Sequence, residues 1–448
     1  MMEFPDRLAI LRDGTWRPTS GTTTIPVENP ASGDVLSHVV PATREDVDAT
    51  VVAAHAAHLA WRETPVTERV QALYRFKALL ERHLDELATI ITLENGKTLD
   101  EARAEIVRGM ENVEVACGAP MLMQGYNNED IARGIDEHLF RRPLGVVTAI
   151  TPFNFPAMIP LWFLPYAIAT GNAFILKPSE KVPLTAHRLF ELLMASDLPD
   201  GVVSLLQGDK GTVDALLDHP QIRAVSFVGS TAVARYVYRR ASANGKRAQC
   251  QGGAKNPAVV LPDADLDVAA RILADSAFGC AGQRCLATSV VIGVGSATAE
   301  MTSRLRTMAE RRVVGSGLCD DVEMGPVIDA ASRSRILDLL ASGRAEGAEV
   351  VTGGQARLGA SGETGHFVDA TILRNVARDG TLARTEIFGP VVTVMHADDL
   401  DAAIDVVNDR AFGNQASIFT SNGSAARQFR YEARAGNIGV NLGVAAPM

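Results

Sequence analysis

The sequence predicts an α/β protein of more than one domain, and three observations carry that prediction. The chain has 448 residues, more than a single hydrophobic core usually holds. Between Gly145 and Asp265, short β-rich runs alternate with helical ones, the rhythm of a parallel sheet covered by helices. The runs GVVTAITP, NAFILKPS, VVSLLQG, AVSFVGS and PAVVLPD each end in turn-forming or polar residues. Ligands of such sheets sit at the carboxyl ends of the strands.

Ahead of the sheet, apolar residues recur at helical spacing from about Thr43 to Arg62: Val47, Val51, Ala54, Ala57 and Trp61. Further helices are expected over about Thr67 to Leu93 and Leu99 to Ala116. The later half, about Asp265 to Val440, repeats the α/β style less clearly. The balance of 47% hydrophobic and 21% charged residues is that of an ordinary globular chain. A net charge of −10 argues against non-specific binding to nucleic acid or anionic membranes. No run of 18 apolar residues occurs, so no spanning helix is expected. The opening stretch MMEFPDRLAILRDGTW has no long apolar core of the secretory kind. Five cysteines (Cys117, Cys250, Cys280, Cys285, Cys319) form an odd, sparse set, which suits a reducing cytoplasm better than a disulfide framework.

Chemistry-bearing residues cluster at the expected strand ends. After GVVTAI comes Thr151-Pro152-Phe153-Asn154-Phe155-Pro156; after AFIL comes Lys177-Pro178-Ser179-Glu180; after AVSFV comes Gly229-Ser230-Thr231. The last suits a phosphate at a helix N-terminus, or simply a turn that starts a helix. The full G-x-G-x-x-G fingerprint is absent, with Ala234 where a last glycine would stand. Lys177 and Glu180 read either as a solvated loop or as a grip on ribose hydroxyls. Asn154 is stiffened by Phe-Pro on both sides; it fits an Asx-turn or an amide aimed at a developing oxyanion.

The stretch GCAGQRCLA, residues 279–287, places a thiol directly after an arginine with no histidine nearby. Cys285 reads as a nucleophile, a metal ligand or a small buried residue. The metal reading lacks a second ligand pair at a sensible spacing, so no metal is expected. A nucleophilic thiol needs activation, and N–H groups together with Arg284 are expected to lower its pKa.

Taken together and in this order, PFNFP, KPSE, FVGST, GQRC and Glu386-Ile387-Phe388-Gly389-Pro390 resemble the aldehyde dehydrogenase superfamily over nearly the whole chain. The resemblance implies a Rossmann-like NAD-binding domain (residues 1–120 and 143–251), an oligomerisation arm (121–142) and an α/β catalytic domain (252–448). It further implies that Cys285 attacks the aldehyde and that Asn154 helps form the oxyanion hole. Thr151, Phe153, Lys177, Glu180, Gly229, Ser230, Glu386 and Phe388 would hold NAD. Within the superfamily the chain is most similar to the CoA-acylating branch that acts on methylmalonate or malonate semialdehyde, in valine and inositol catabolism. There Arg108 and Arg284 would meet the substrate carboxylate, although either reads equally as a structural or surface charge. Gln251, in QGGAK, stands where hydrolytic members carry a glutamate base. An amide cannot take a proton from water, so acyl transfer to coenzyme A is favoured over release of a free acid. Gln251 and Pro257 depart from the asparagine and histidine expected in this branch. The sequence stops at GVNLGVAAPM, inside what resembles a continuing motif. A partner strand for the arm is therefore expected after residue 448. A homodimer or homotetramer is expected if the C-terminus is intact, and an inactive dinucleotide-binding truncation product is the alternative.

Overall fold

The computed structural model describes residues 2–444, and the chain end over residues 445–448 lies outside the described residues. The chain forms two compact units. The first comprises the N-terminal segment through Glu28, Val35–Glu94 and Ala102–Gly252; the second comprises Asn29–Asp34, Asn95–Glu101 and the chain from Gly253 onward.

The first unit is built on a seven-stranded sheet. Its order is Arg247–Gln251, Ile222–Val228, Val146–Ile150, Ala173–Lys177, Val203–Leu205, Ile10–Arg12, Thr15–Arg17. The first five strands run parallel, and the last two close the edge antiparallel. Ala173–Lys177 is buried along its full length, as a central parallel strand covered on both faces must be. Val47, Val51 and Ala54 pack with Ile175, Val225 and Val237 in one core. The helix carrying them runs Arg44–Trp61 and begins with a capping box, Thr43 and Asp46 bonding each other's backbone.

The expected strands of this region are present, but three features differ from the sequence reading. The stretch read as one helix over 67–93 is two, Val66–Arg82 and Leu84–Asn95, broken at His83 (φ −104°, ψ 20°). Arg247–Gln251 escaped notice because it is a polar edge strand, RAQCQ, with alternate residues exposed. The short strands Arg7–Leu8, Ile10–Arg12, Thr15–Arg17, Ile25–Glu28 and Val35–Val39 also went unread; at two to five residues they are too short for a period-2 signal. Within 121–142, Asn127–Ala132 and Ile135–His138 pair as an antiparallel ribbon whose residues are all exposed.

The second unit has its own seven-stranded sheet, ordered Glu349–Thr352, Thr371–Arg374, Val391–Ala397, Thr288–Val294, Asn256–Val260, Gln415–Phe419, Asn437–Val440. All pairs are parallel except that of the edge strand Glu349–Thr352. Two apolar layers cover it. One centres on Leu273, Phe278 and Met301, the other on Ile404, Val407 and Phe429. Among the described residues no helix is long and apolar enough to cross a membrane.

Candidate active site

In the first unit the expected residues fall at the carboxyl ends of adjacent strands. Thr151 follows Val146–Ile150 and donates its N–H to Lys177 O at 3.1 Å. Asn154 is buried, 4% exposed, in the loop between that strand and the short helix Met158–Leu161. Lys177 is buried, and its ammonium meets Glu180 Oε2 at 3.1 Å. Burial works against the Glu180 charge, yet the Lys177 ammonium and nearby N–H groups hold its carboxyl below the usual value. The Lys181 ammonium lies 5.3 Å from the Phe153 ring centre. Gly229 donates its N–H to Gln251 O at 3.1 Å. A Cβ at Gly229 would press to 2.6 Å against the Phe227 ring, so the close approach requires glycine. Ser230 is the N-cap of the helix Thr231–Ala243, and its side chain makes no capping bond.

In the second unit the geometry reverses the expectation for an α/β sheet. Cys285, Glu386–Gly389 and Ala254 precede three adjacent strands, Thr288–Val294, Val391–Ala397 and Asn256–Val260. The pocket they line lies at the amino ends of these strands, and Arg284, Asn256, Gly282 and Phe388 share it.

Cys285 is half-buried, and its position is fixed from both sides. Its carbonyl oxygen accepts from the side-chain amides of Asn256 and Asn414, each at 2.9 Å. Asn256 also donates to Ala287 O at 3.0 Å, and its own oxygen accepts from Gln415 N at 3.2 Å. The preceding turn is left-handed at three successive residues: Cys280 (φ 49°), Ala281 (φ 52°) and Gly282 (φ 68°). Two are not glycine, and each such residue costs roughly 1–2 kcal/mol. Glu101 offsets this by accepting from Cys280 N at 2.6 Å and from the Arg284 guanidinium at 3.0 Å. Arg284 Nε reaches Cys280 Sγ at 3.3 Å, and Gln283 Oε1 accepts from Ile328 N at 3.1 Å.

Arg284 therefore grips the turn, and the expectation that it depresses the Cys285 pKa is corrected. Burial pushes the Cys285 thiol above its ordinary value. N–H groups at Cys285 and Leu286 act the other way without overcoming it, and the Glu386 charge adds to the rise. Cys280 is fully buried, and burial raises its thiol too. Glu386 Oε1 accepts from Ala254 N at 2.9 Å. Burial pushes this carboxyl up, against the pull of that N–H and of the Arg335 and Lys255 charges. Arg335 holds the Glu386 and Ile387 carbonyls at 2.6 and 2.7 Å. Phe388 sits at φ 54°, a left-handed position unusual for an aromatic residue. Arg108, in the first unit on the helix Leu99–Cys117, is paired with Glu111. The exposed side chain of Gln251 closes the polar edge strand.

The sequence reading missed Asn256, Asn414 and Glu101. Asn256 directly follows QGGAK, so adjacency was a usable signal. Asn414 and Glu101 reach the cysteine turn from 129 and 179 residues away from the groups they bind, and no local pattern marks them.

The aldehyde dehydrogenase family model matches residues 16–447. The chain is 47% identical over 435 residues to malonate-semialdehyde dehydrogenase 1 of Geobacillus thermodenitrificans (strain NG80-2), covering 97% of this chain and 90% of that one. Among solved structures it is similar to a methylmalonate-semialdehyde dehydrogenase of Sinorhizobium meliloti 1021 complexed with NAD, at 41% identity and TM-score 0.97 over 100% of this chain and 91% of that one. The methylmalonate-semialdehyde dehydrogenase of Oceanimonas doudoroffii gives 41% identity and TM-score 0.96 over 99% and 91%.

Two outcomes check this geometry. Because burial raises the thiol, alkylation of Cys285 by iodoacetamide should titrate with a midpoint above 9.0, the ordinary value. A midpoint below that would mean the thiolate is stabilised in the free protein. Gly282→Ala places a Cβ 2.0 Å from Gly389 O in a left-handed position. It should destabilise by about 2–5 kcal/mol, read as a lower urea midpoint. An unchanged midpoint would show that the two loops separate freely.

Proposed function

The chain belongs to the aldehyde dehydrogenase family, and on that premise we propose that it is an NAD-dependent, CoA-acylating dehydrogenase of malonate or methylmalonate semialdehyde. The observation that carries the reading is the second unit's pocket, where a fixed thiol shares one cavity with Glu386 and Phe388. The names of its relatives support the substrate class.

The residues present fit NAD. Lys177 and Glu180 offer a paired donor and acceptor to the adenosine ribose. The N-terminus of the helix Thr231–Ala243, approached over Gly229, suits a diphosphate. Thr151 and Phe153 belong to the same strand-end set, Glu386 offers a carboxylate to the second ribose, and Phe388 an apolar face to the nicotinamide. NAD, when bound, supplies acceptance of the hydride. Cys285 releases its thiol proton to solvent as it adds its sulfur to the aldehyde carbon, and the oxyanion takes N–H donation from Asn154 and the Cys285 backbone. Hydride loss leaves a thioester on Cys285. For a 3-oxoacid the thioester carries a carboxylate on its α-carbon, so carbon dioxide is lost to give an enolate, which takes a proton from water at that carbon to leave the acetyl or propionyl thioester. The CoA thiolate then attacks the carbonyl, the Cys285 sulfur leaves, and acetyl- or propionyl-CoA is released.

Acyl transfer is favoured over hydrolysis because Gln251 supplies no base. The competing reading has one support: Glu386 is the carboxylate lining the pocket and its pKa is raised, which suits a general base. For the substrate carboxylate, Arg108 and Arg284 are the candidate planar donors. Each already has an acid partner, Glu111 and Glu101, which the substrate must share or displace. Homo-oligomerisation through residues 121–142 is supported by Met121, Leu122, Tyr126, Ile131, Ile135 and Phe140, each more than half exposed. We place the enzyme in the cytoplasm.

NADH formation tests the mechanism. Without CoA, malonate semialdehyde should give a burst of about one NADH per Cys285 and then a slow rate, and CoA should restore steady turnover. Cys285→Ala should abolish the burst, and Cys280→Ala should retain it. Steady turnover that ignores CoA would favour hydrolysis. For the cofactor, Glu180 should repel a 2′-phosphate, so NAD is preferred and Glu180→Gln narrows the gap. A preference of the wild type for NADP would refute that role.

A further inference from the structure

Two helices that follow the functional loops of the first unit lack a local N-cap. Val182 precedes the helix Pro183–Met194 and Ala157 precedes the helix Met158–Leu161; neither makes a capping bond. In both places a buried glutamate from a distant helix supplies the acceptor. Glu94, on Leu84–Asn95 and fully buried, accepts from Leu184 N at 2.7 Å through Oε2 and from Thr185 N at 2.9 Å through Oε1. Glu105, on Leu99–Cys117 and 2% exposed, accepts from Ala157 N at 2.8 Å and Met158 N at 3.1 Å, both through Oε1.

These caps lie at the far ends of the two loops that leave adjacent parallel strands, Val146–Ile150 and Ala173–Lys177. One loop carries Asn154, and the other carries Glu180 just after Lys177. Each loop is thus anchored at its start by the sheet and at its end by a buried carboxylate. We propose that Glu105 and Glu94 are positioning residues: Glu105 sets Asn154 for the oxyanion, and Glu94 sets Lys177 and Glu180 for the dinucleotide. The assignment of targets rests on the function proposed above.

The arrangement is held against a cost. Burial pushes the Glu94 carboxyl up to about 8, opposed by the Thr185 and Leu184 donors and reinforced by the Glu105 charge. A buried acid in this state is poor value for packing alone, whereas an ionised carboxylate suits two N–H groups at the start of a twelve-residue helix.

The two loops make the test specific, because each glutamate should move a different readout. At pH 9, Glu105→Ala should slow the NADH burst on the order of 10- to 100-fold with NAD affinity within about twofold. Glu94→Ala should weaken NAD affinity, measured by calorimetry, roughly tenfold or more, and its burst at saturating NAD should stay within about twofold. Should an alanine variant not fold, the glutamine variants carry the same contrast: a slower burst at 105 and weaker NAD binding at 94. Each variant moving both readouts together, or leaving its own readout unchanged, would overturn the proposal. Asn154→Ala and Glu180→Gln run in parallel: if these leave the burst and NAD affinity unchanged, the underlying site assignment fails, whatever the glutamates do.

Discussion

The second unit depends on one constraint, the left-handed turn at Cys280–Gly282. Three residues in succession adopt a conformation that L-residues avoid, and Cys285 lies where it does because that turn is held. Glu101 takes the Cys280 N–H and the Arg284 guanidinium. Gln283 ties the turn to Ile328, and Asn256 and Asn414 fix the Cys285 carbonyl. Strain at the turn is offset by charged and buried hydrogen bonds, which hold the backbone that carries the thiol. The same network explains why Arg284 does not activate the cysteine: its guanidinium is committed to Glu101 and Cys280.

Activation then has to come from elsewhere. In the free protein burial raises the Cys285 pKa, so the thiol is mostly protonated at neutral pH and protected from adventitious oxidation. A nucleophile stored as the thiol suits a mechanism in which the proton leaves as the aldehyde is attacked. Burial raises the Glu386 carboxyl as well, against the pull of Ala254 N–H and of the Arg335 and Lys255 charges.

Much of this was legible in the sequence where the signal is local. The parallel strands after Gly145 announce themselves by apolar runs ending in turns, and PFNFP, KPSE, FVGST, GQRC and EIFGP mark the residues that the fold sets at strand ends. What stayed hidden is non-local. Glu101 and Asn414 act on a turn more than a hundred residues away. Arg247–Gln251 is polar because it forms a sheet edge, and the N-terminal strands are too short for periodicity. The carboxyl-end rule for α/β sheets describes the first unit and fails in the second, where the pocket gathers at the amino ends of three strands. The rule follows helix connections, whereas this pocket is made by the loops that enter the strands.

The proposed chemistry requires an acyl group carried by Cys285. The most direct measurement is peptide mass spectrometry of the protein quenched after mixing with malonate semialdehyde and NAD in the absence of CoA. An acetyl or malonyl thioester is expected on Cys285 alone, disappearing on addition of CoA as the matching acyl-CoA forms. An unmodified Cys285 during NADH production, or the acyl group on another cysteine, would contradict it.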